Sequence, residues 1–399
     1  MRSVSLYAHI PFCAQKCDYC DFFSVPKSGG IPDLYVESLL REASFYADSF
    51  GVDSWKTLYI GGGTPSLLSP RQLSSIVCGL GAMRPFSRDA EITVEMNPES
   101  VRAELIDACA SSGVNRISLG IQALDEQALS RVHRLGSPRM ALDALSLLEK
   151  TWRGRLSVDF IAGLPGQTRD SFKNQFGTVF SFKNIDHISL YTLTIEDGTP
   201  LGKKIARGET DFSFDRADSM WILGRNILEK NGFLQYEVSN FARPGFESRH
   251  NKTYWHLEDY VGIGAGASGT MYEKSLRWNN RADIGAYCNF WAGGAAELPA
   301  LGDDLSFVRE CEILCEKTMM FEFLMMGFRL LEGVSEGDFF ARFKKELSAQ
   351  KNSDGVPFGE IFESWKKRRL LRIQGKSPRR FSLNRRGILL LNRFLEELL

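Results

Sequence analysis

From residue 4 to about residue 230 the chain alternates, six times over, a short β-branched run with a longer amphipathic one. The strand candidates are Val4–Ile10, Thr57–Gly61, Glu91–Met96, Arg116–Ile121, Ser157–Ile161 and His187–Leu193. The helix candidates are Asp33–Phe50, Arg71–Met83, Arg102–Ser111, Pro138–Thr151, Arg169–Phe180 and Asp215–Lys230. Neighbouring strands joined by such long connections run parallel, because a crossover, not a hairpin, brings the chain back. The strand runs read as continuously apolar, as in sheets covered on both faces. An α/β fold follows, either a doubly wound sheet or a barrel, closed or partial.

The rhythm changes after residue 230. "LQYEVSNFARPGFESRHNKTYW" and "YVGIGAGASGTMYEKSLRWNN" are rich in aromatics, Gly and Asn and read as irregular loops and edge strands. Near Glu310 a helical pattern resumes in "ECEILCEKTMMFEFLMMGFRLLEGV", with Cys311 and Cys315 expected as buried residues one turn apart. The end of the chain reads as a hairpin and a closing helix, a winged-helix arrangement in outline. The expected domains are 1–235, a core barrel; 236–305, a barrel extension; and 306–399, a small, mainly helical domain.

Lys plus Arg and Asp plus Glu are both 49, so net charge gives no reason to expect a nucleic-acid partner. Residues 366 to 386 hold ten basic side chains and no acid. A solvated face is their ordinary role, and peripheral contact with an anionic membrane is the other use considered. No apolar run is long enough to cross a bilayer, and the N-terminus has no signal-peptide core. The eight cysteines are then expected as thiols in a cytoplasmic protein.

Three of those cysteines fall in "HIPFCAQKCDYCDFFS": Cys13, Cys17 and Cys20. Half of a zinc site is the plainer reading, but a second CxxC knuckle is missing. A [4Fe–4S] cluster on three thiolates leaves one iron open to a small molecule. S-adenosylmethionine can chelate that iron through its amino and carboxylate groups, and an electron from the cluster can split its sulfonium bond. Phe12, Tyr19 and Phe22–Phe23 are apolar neighbours able to keep water away.

In a βα barrel the site gathers at the C-terminal strand ends. The second strand ends in "GGGTP", where backbone N–H and C=O groups of Gly62 and Gly63 can grip the ammonium and carboxylate of a methionyl group. The third ends at Glu95, a partner for ribose hydroxyls. The fourth ends at Gln122 and the fifth at Asp159, and Arg134 is within reach of a bound carboxylate.

Together "HIPFCAQKCDYC", "YIGGGTPSLL", "EMNP", "SLGIQ" and "AGLPGQT" resemble the radical SAM superfamily, in the branch that holds oxygen-independent coproporphyrinogen III oxidases and heme chaperones. The resemblance runs from about Tyr7 to Asn280 and into the C-terminal domain. It implies a partial six-stranded (βα)6 barrel, a cluster on Cys13, Cys17 and Cys20, and S-adenosylmethionine contacts from Tyr7, Gly62, Gly63, Thr64, Glu95, Gln122, Arg134 and Asp159, with Tyr19 over the cofactor. Oxidases of the branch carry a further cysteine two residues after the third, where this chain has Phe22, and a long arm before the motif, where only six residues precede Tyr7. Both departures point to the chaperones. "RHNKTYW" is similar to their HNxxYW signature and makes His250 the expected heme ligand, with Tyr254 and Trp255 against the porphyrin. Ser268 stands where relatives often carry histidine. The function implied is uptake of heme for delivery to a respiratory hemoprotein, and any reductive use of the cluster implies a flavodoxin or ferredoxin as donor. Radical decarboxylation of coproporphyrinogen III is the rival.

Overall fold

The computed structural model describes residues 2–27, 29–292 and 308–399. The six expected strands are present as β1 (Ser3–Ile10), β2 (Ser54–Gly62), β3 (Phe86–Met96), β4 (Arg116–Gln122), β5 (Arg155–Ala162) and β6 (Ile185–Thr192). They lie side by side in chain order and all run parallel. Six helices supply the crossovers and cover the outside: α1 (Asp33–Ser49), α2 (Pro70–Met83), α3 (Ala103–Ser112), α4 (Pro138–Thr151), α5 (Arg169–Val179) and α6 (Phe214–Lys230). Their starts are written locally. Ser69, Ser137, Thr168 and Ser213 each accept a backbone N–H of the helix that follows, and proline opens α2 and α4, where no N–H is needed. α2 then buries Leu73, Ile76, Val77 and Leu80, one stripe at helical spacing.

The strands differ from the sequence reading in one instructive way. They alternate. In register, Ala8, Ile60, Val94 and Ile117 form an apolar row, and all four belong to the core shared with the helices. The intervening row is Tyr7, Tyr59, Thr93 and Arg116. One face of the sheet is thus apolar and helix-covered, while the other lines a polar interior. Covered on both faces, the sheet still needs only one apolar face, because the second serves a site.

Among the described residues the sheet extends at both edges to twelve strands. Beside β1 lies β7 (Tyr260–Ile263), a further parallel strand, followed by antiparallel β8 (Ser268–Met271), β9 (Leu276–Asn280) and β10 (Arg309–Ile313). Beside β6 lies Asn240–Ala242, antiparallel, and then Leu234–Gln235. Cys311 sits on β10 and Cys315 caps α8 (Glu316–Gly327), and both are exposed, not buried on one helix as expected. The sequence "RECEI" has a period of two, and its Glu310 and Glu312 reach Arg281 and Arg277, which favours a strand.

Beyond α8 a second core holds Phe328, Phe362, Trp365, Phe381 and Phe394. The expected hairpin and closing helix are Leu371–Gln374, Arg380–Leu383 and Leu391–Leu398. The domain boundary expected at 305/306 lies outside the described residues. Within the basic tail, Arg368, Arg379, Arg380 and Arg385 pair with Glu397, Glu336, Asp338 and Glu229, so a good part of its charge is balanced by acids from elsewhere in the chain. No helix among the described residues is long and apolar enough to cross a membrane.

Candidate functional site

The C-terminal ends of β1 to β6 open on one cavity of about 550 Å³. β1 delivers the cysteine loop, which closes on itself where Phe12–Cys13 pairs with Val25–Pro26. The end of β2 then fastens it. Gly63 donates its N–H to the Ile10 carbonyl at 2.9 Å, and Thr64 donates to the Phe12 carbonyl at 2.7 Å. A Cβ at Gly63 would stand 2.6 Å from the Phe12 carbonyl oxygen, and one at Gly62, where φ is +112°, would stand 2.5 Å from the His9 ring. Glycine is therefore required for the close approach of two chain segments. The Gly62 amide is also committed, donating to Glu95 Oε2 at 3.0 Å. Neither amide is available to a methionyl carboxylate, which corrects the N–H half of the expectation drawn from "GGGTP" and leaves its carbonyl half, toward the ammonium, as an expectation.

Cys13 and Cys17 are buried and Cys20 is half-buried, all three on the cavity wall. Burial pushes the Cys20 thiol up, and neighbouring Cys17 and Cys13 push the same way. Two thiols receive hydrogen bonds: Thr64 Oγ1 donates to Cys13 Sγ, and Arg134 Nη1 to Cys17 Sγ, both at 3.6 Å. Asn97 joins these donors, giving its Nδ2 to Thr64 Oγ1 at 3.0 Å and accepting Arg134 Nη2 at 2.8 Å. The result is a polar circuit from one sulfur to another. Its donors stabilise thiolates, the form that ligates iron. Among the described residues no three His, Cys, Asp or Glu side chains converge as they would round a single ion. Thiols spread along a wall fit a four-iron cluster, one sulfur to each of three irons, better than a zinc ion.

Across the cavity stand two carboxyls. Glu95 accepts Tyr59 Oη at 2.7 Å as well as the Gly62 amide, and burial lifts its pKa to about 7. Asp159 accepts the Ser118 hydroxyl at 3.1 Å, and burial raises it too. Gln122 ends β4 at a positive φ of 67°, beside a register shift that turns the strand end toward the cavity. Tyr19 lines the same space. So does the end of β6, where Tyr191, Thr192, Leu193 and Thr194 complete the wall. The sequence reading passed over these and over Asn97, although "LYTLT" ends a sixth strand as plainly as "SLGIQ" ends a fourth.

Two expected residues lie elsewhere. Tyr7 is not on the cavity wall; its hydroxyl meets His9 Nδ1 at 2.8 Å. His250 sits at the opposite end of the barrel, on the short helix α7 (Arg249–Trp255), and is only 1% exposed. Its Nδ1 meets Thr57 Oγ1 at 2.6 Å, its Nε2 meets Tyr254 Oη at 2.7 Å, and its ring stacks on Tyr59. Burial lowers its pKa to about 3. With both nitrogens engaged and no free face, His250 does not fit the role of heme ligand expected of it.

Residues 7–175 match the family model of the radical SAM superfamily. A protein of Lactococcus lactis named heme chaperone HemW is 37% identical over 341 residues, 85% of either chain, and one of Escherichia coli with the same name is 36% identical over 345 residues, again 85% of either chain. The chain belongs to the HemW family of radical SAM proteins. Its fold matches that of coproporphyrinogen III oxidase (HemN) from Escherichia coli, with a TM-score of 0.80 at 20% identity, over 99% of this chain and 89% of that one. At that identity the match speaks for the fold alone. Family membership implies a [4Fe–4S] cluster and S-adenosylmethionine, and the donor set on the cavity wall fits them.

Proposed function

We propose that this chain is a cytoplasmic heme chaperone that holds a [4Fe–4S] cluster on Cys13, Cys17 and Cys20, binds S-adenosylmethionine in the cavity above the strand ends, and takes up heme for delivery to a respiratory hemoprotein. The observation that carries the reading is sequence identity of 37% and 36% to two heme chaperones across 85% of this chain. Phe22 supports it, standing where the oxidases have a further cysteine.

When bound, the cluster and S-adenosylmethionine supply one-electron chemistry at the sulfonium. The chain's own residues do the rest. Glu95, once ionised, would accept hydrogen bonds from the ribose hydroxyls of a bound nucleoside. Arg134 is held by Gly120 and Asn97, so its charge stays beside Cys17 and a bound carboxylate. Phe22, 70% exposed at the mouth, offers an apolar edge that a partner or ligand can cover. A flavodoxin or ferredoxin would be the electron donor, and any membrane contact would fall to the basic tail.

The test is a pair of assays on anaerobically reconstituted protein. Hemin should bind with saturation and one site per chain, and coproporphyrinogen III should not be converted to protoporphyrinogen. Hemin binding no better than that of an unrelated protein would sink the proposal; turnover of the tetrapyrrole would make the chain an oxidase.

A further inference from the structure

The lower mouth of the barrel is only partly closed. Beside Arg249, the first residue of α7, the N-terminal ends of β3, β5 and β6 leave a pocket of about 290 Å³, at the small end of the range for small-molecule sites, about 300–1,000 Å³. Its wall holds acids and bases in equal number: Asp89, Glu91 and Asp186 against Arg153, Arg155 and Arg249. Four of these are already engaged with one another. Arg249 pairs with Asp89 at 2.6 Å and Arg155 with Glu91 at 3.5 Å. Glu91 also accepts the Ser248 hydroxyl and the His250 amide. Asp186 and Arg153 are left over.

Asp186 is 8% exposed. Its Oδ2 accepts the Leu156 amide at a long 3.3 Å, and its Oδ1 is buried without a donor. A buried acceptor in that state is costly, and burial pushes the carboxyl up to about 7. Arg116 and Arg155 act on it through space, but neither is hydrogen-bonded to it. Arg153 is exposed at the rim. It donates only to the Glu149 and Lys150 carbonyls at the end of α4 and has no acid partner among the described residues. Phe246 adds an apolar piece of wall, with the Arg155 guanidinium over its ring. The pocket thus has an acceptor in want of a donor in its depth and an unpaired cation at its rim. A simple ion would meet one need and upset the even balance of charge on the wall. A ligand with an ammonium and a carboxylate meets both and leaves the balance intact.

We propose that this pocket binds a small zwitterion, its ammonium donating to Asp186 Oδ1 and its carboxylate accepting from the Arg153 guanidinium. The site lies at the opposite end of the barrel from the cysteines and does not depend on the heme-carrying proposal.

The test uses the full chain and isothermal titration calorimetry with unbranched ω-amino acids, from β-alanine through 4-aminobutyrate to 6-aminohexanoate, whose length reports the span from Asp186 to Arg153. One member should bind saturably, and the matching alkylamine and alkanoate, each lacking one charge, should bind at least about tenfold more weakly. Asp186→Asn keeps the side chain's shape and removes its charge, and should weaken binding by about tenfold or more. Arg153→Ala, at the exposed rim, should weaken it roughly two- to fivefold. Circular dichroism checks both folds, and should Asp186→Asn fail to fold, Arg153→Ala and the two half-ligands still decide. The proposal is overturned if no member of the series binds saturably at millimolar concentration. It is equally overturned if a folded variant, or the alkylamine or alkanoate alone, binds as tightly as the wild type binds the zwitterion.

Discussion

The two ends of the barrel are built from the same strands and from the same kinds of side chain, yet they do opposite things. At the N-terminal end α7 enters like a plug. Glu91 accepts the His250 amide at 2.9 Å and the Ser248 hydroxyl at 3.3 Å, and Thr57 and Tyr254 hold the His250 ring. At the C-terminal end no such plug follows among the described residues, and carboxyls, thiols and a guanidinium face a cavity. Polar residues inside a barrel are therefore not by themselves a site. What separates structure from function is whether the chain returns to cover them: His250 is 1% exposed, whereas Glu95, Asp159 and Arg134, though bonded within the chain, still line a cavity.

The contrast can be broken by single substitutions. The largest effect is expected of Cys17→Ala: iron and sulfide content after reconstitution should fall to background while far-ultraviolet circular dichroism stays that of the wild type. Loss of the fold along with the metal would mean that the upper end is structural too.

Next comes His250→Phe, which leaves Thr57 and Tyr254 without their partner. Denaturant unfolding should show a loss of about 2–4 kcal/mol with the cluster still loaded. A pH series sharpens the point. His250 is depressed from about 6.5 to about 3, so its contribution is present above the unfolded value and drains away as pH falls through this window. The Phe variant should be the less acid-sensitive of the two. Equal acid sensitivity would show that the ring is not held as neutral imidazole.

The smallest effect belongs to Glu95. Its folded pKa near 7 means that the carboxylate needed for a sulfonium and for ribose hydroxyls forms only as pH rises. Affinity for S-adenosylmethionine should therefore increase roughly tenfold from about pH 6 to about pH 8. Glu95→Gln should bind weakly and flatly across the range. A wild-type curve without slope would place the nucleoside away from this residue.

Much of this was legible in the sequence. The six strands and their order could be read because parallel pairing demands long connections, and the strand ends carried the residues that gather round the cavity. What escaped reading were residues whose role depends on distant partners. Asn97 gives no signal of its own; it matters because it stands between Thr64 and Arg134. β7 hid in a glycine-rich stretch that lacks the β-branched run of a buried parallel strand. His250 stood in a signature that suggested a ligand, but Thr57, 193 residues earlier, claims its ring.

The cysteine loop is held by hydrogen bonds from Gly63 and Thr64 and by its own short ladder, all of them independent of metal. Three sulfurs on one doubly fastened loop are thereby set as a group, and a side chain added at Gly63, 2.6 Å from the Phe12 carbonyl oxygen, would disturb all of them at once.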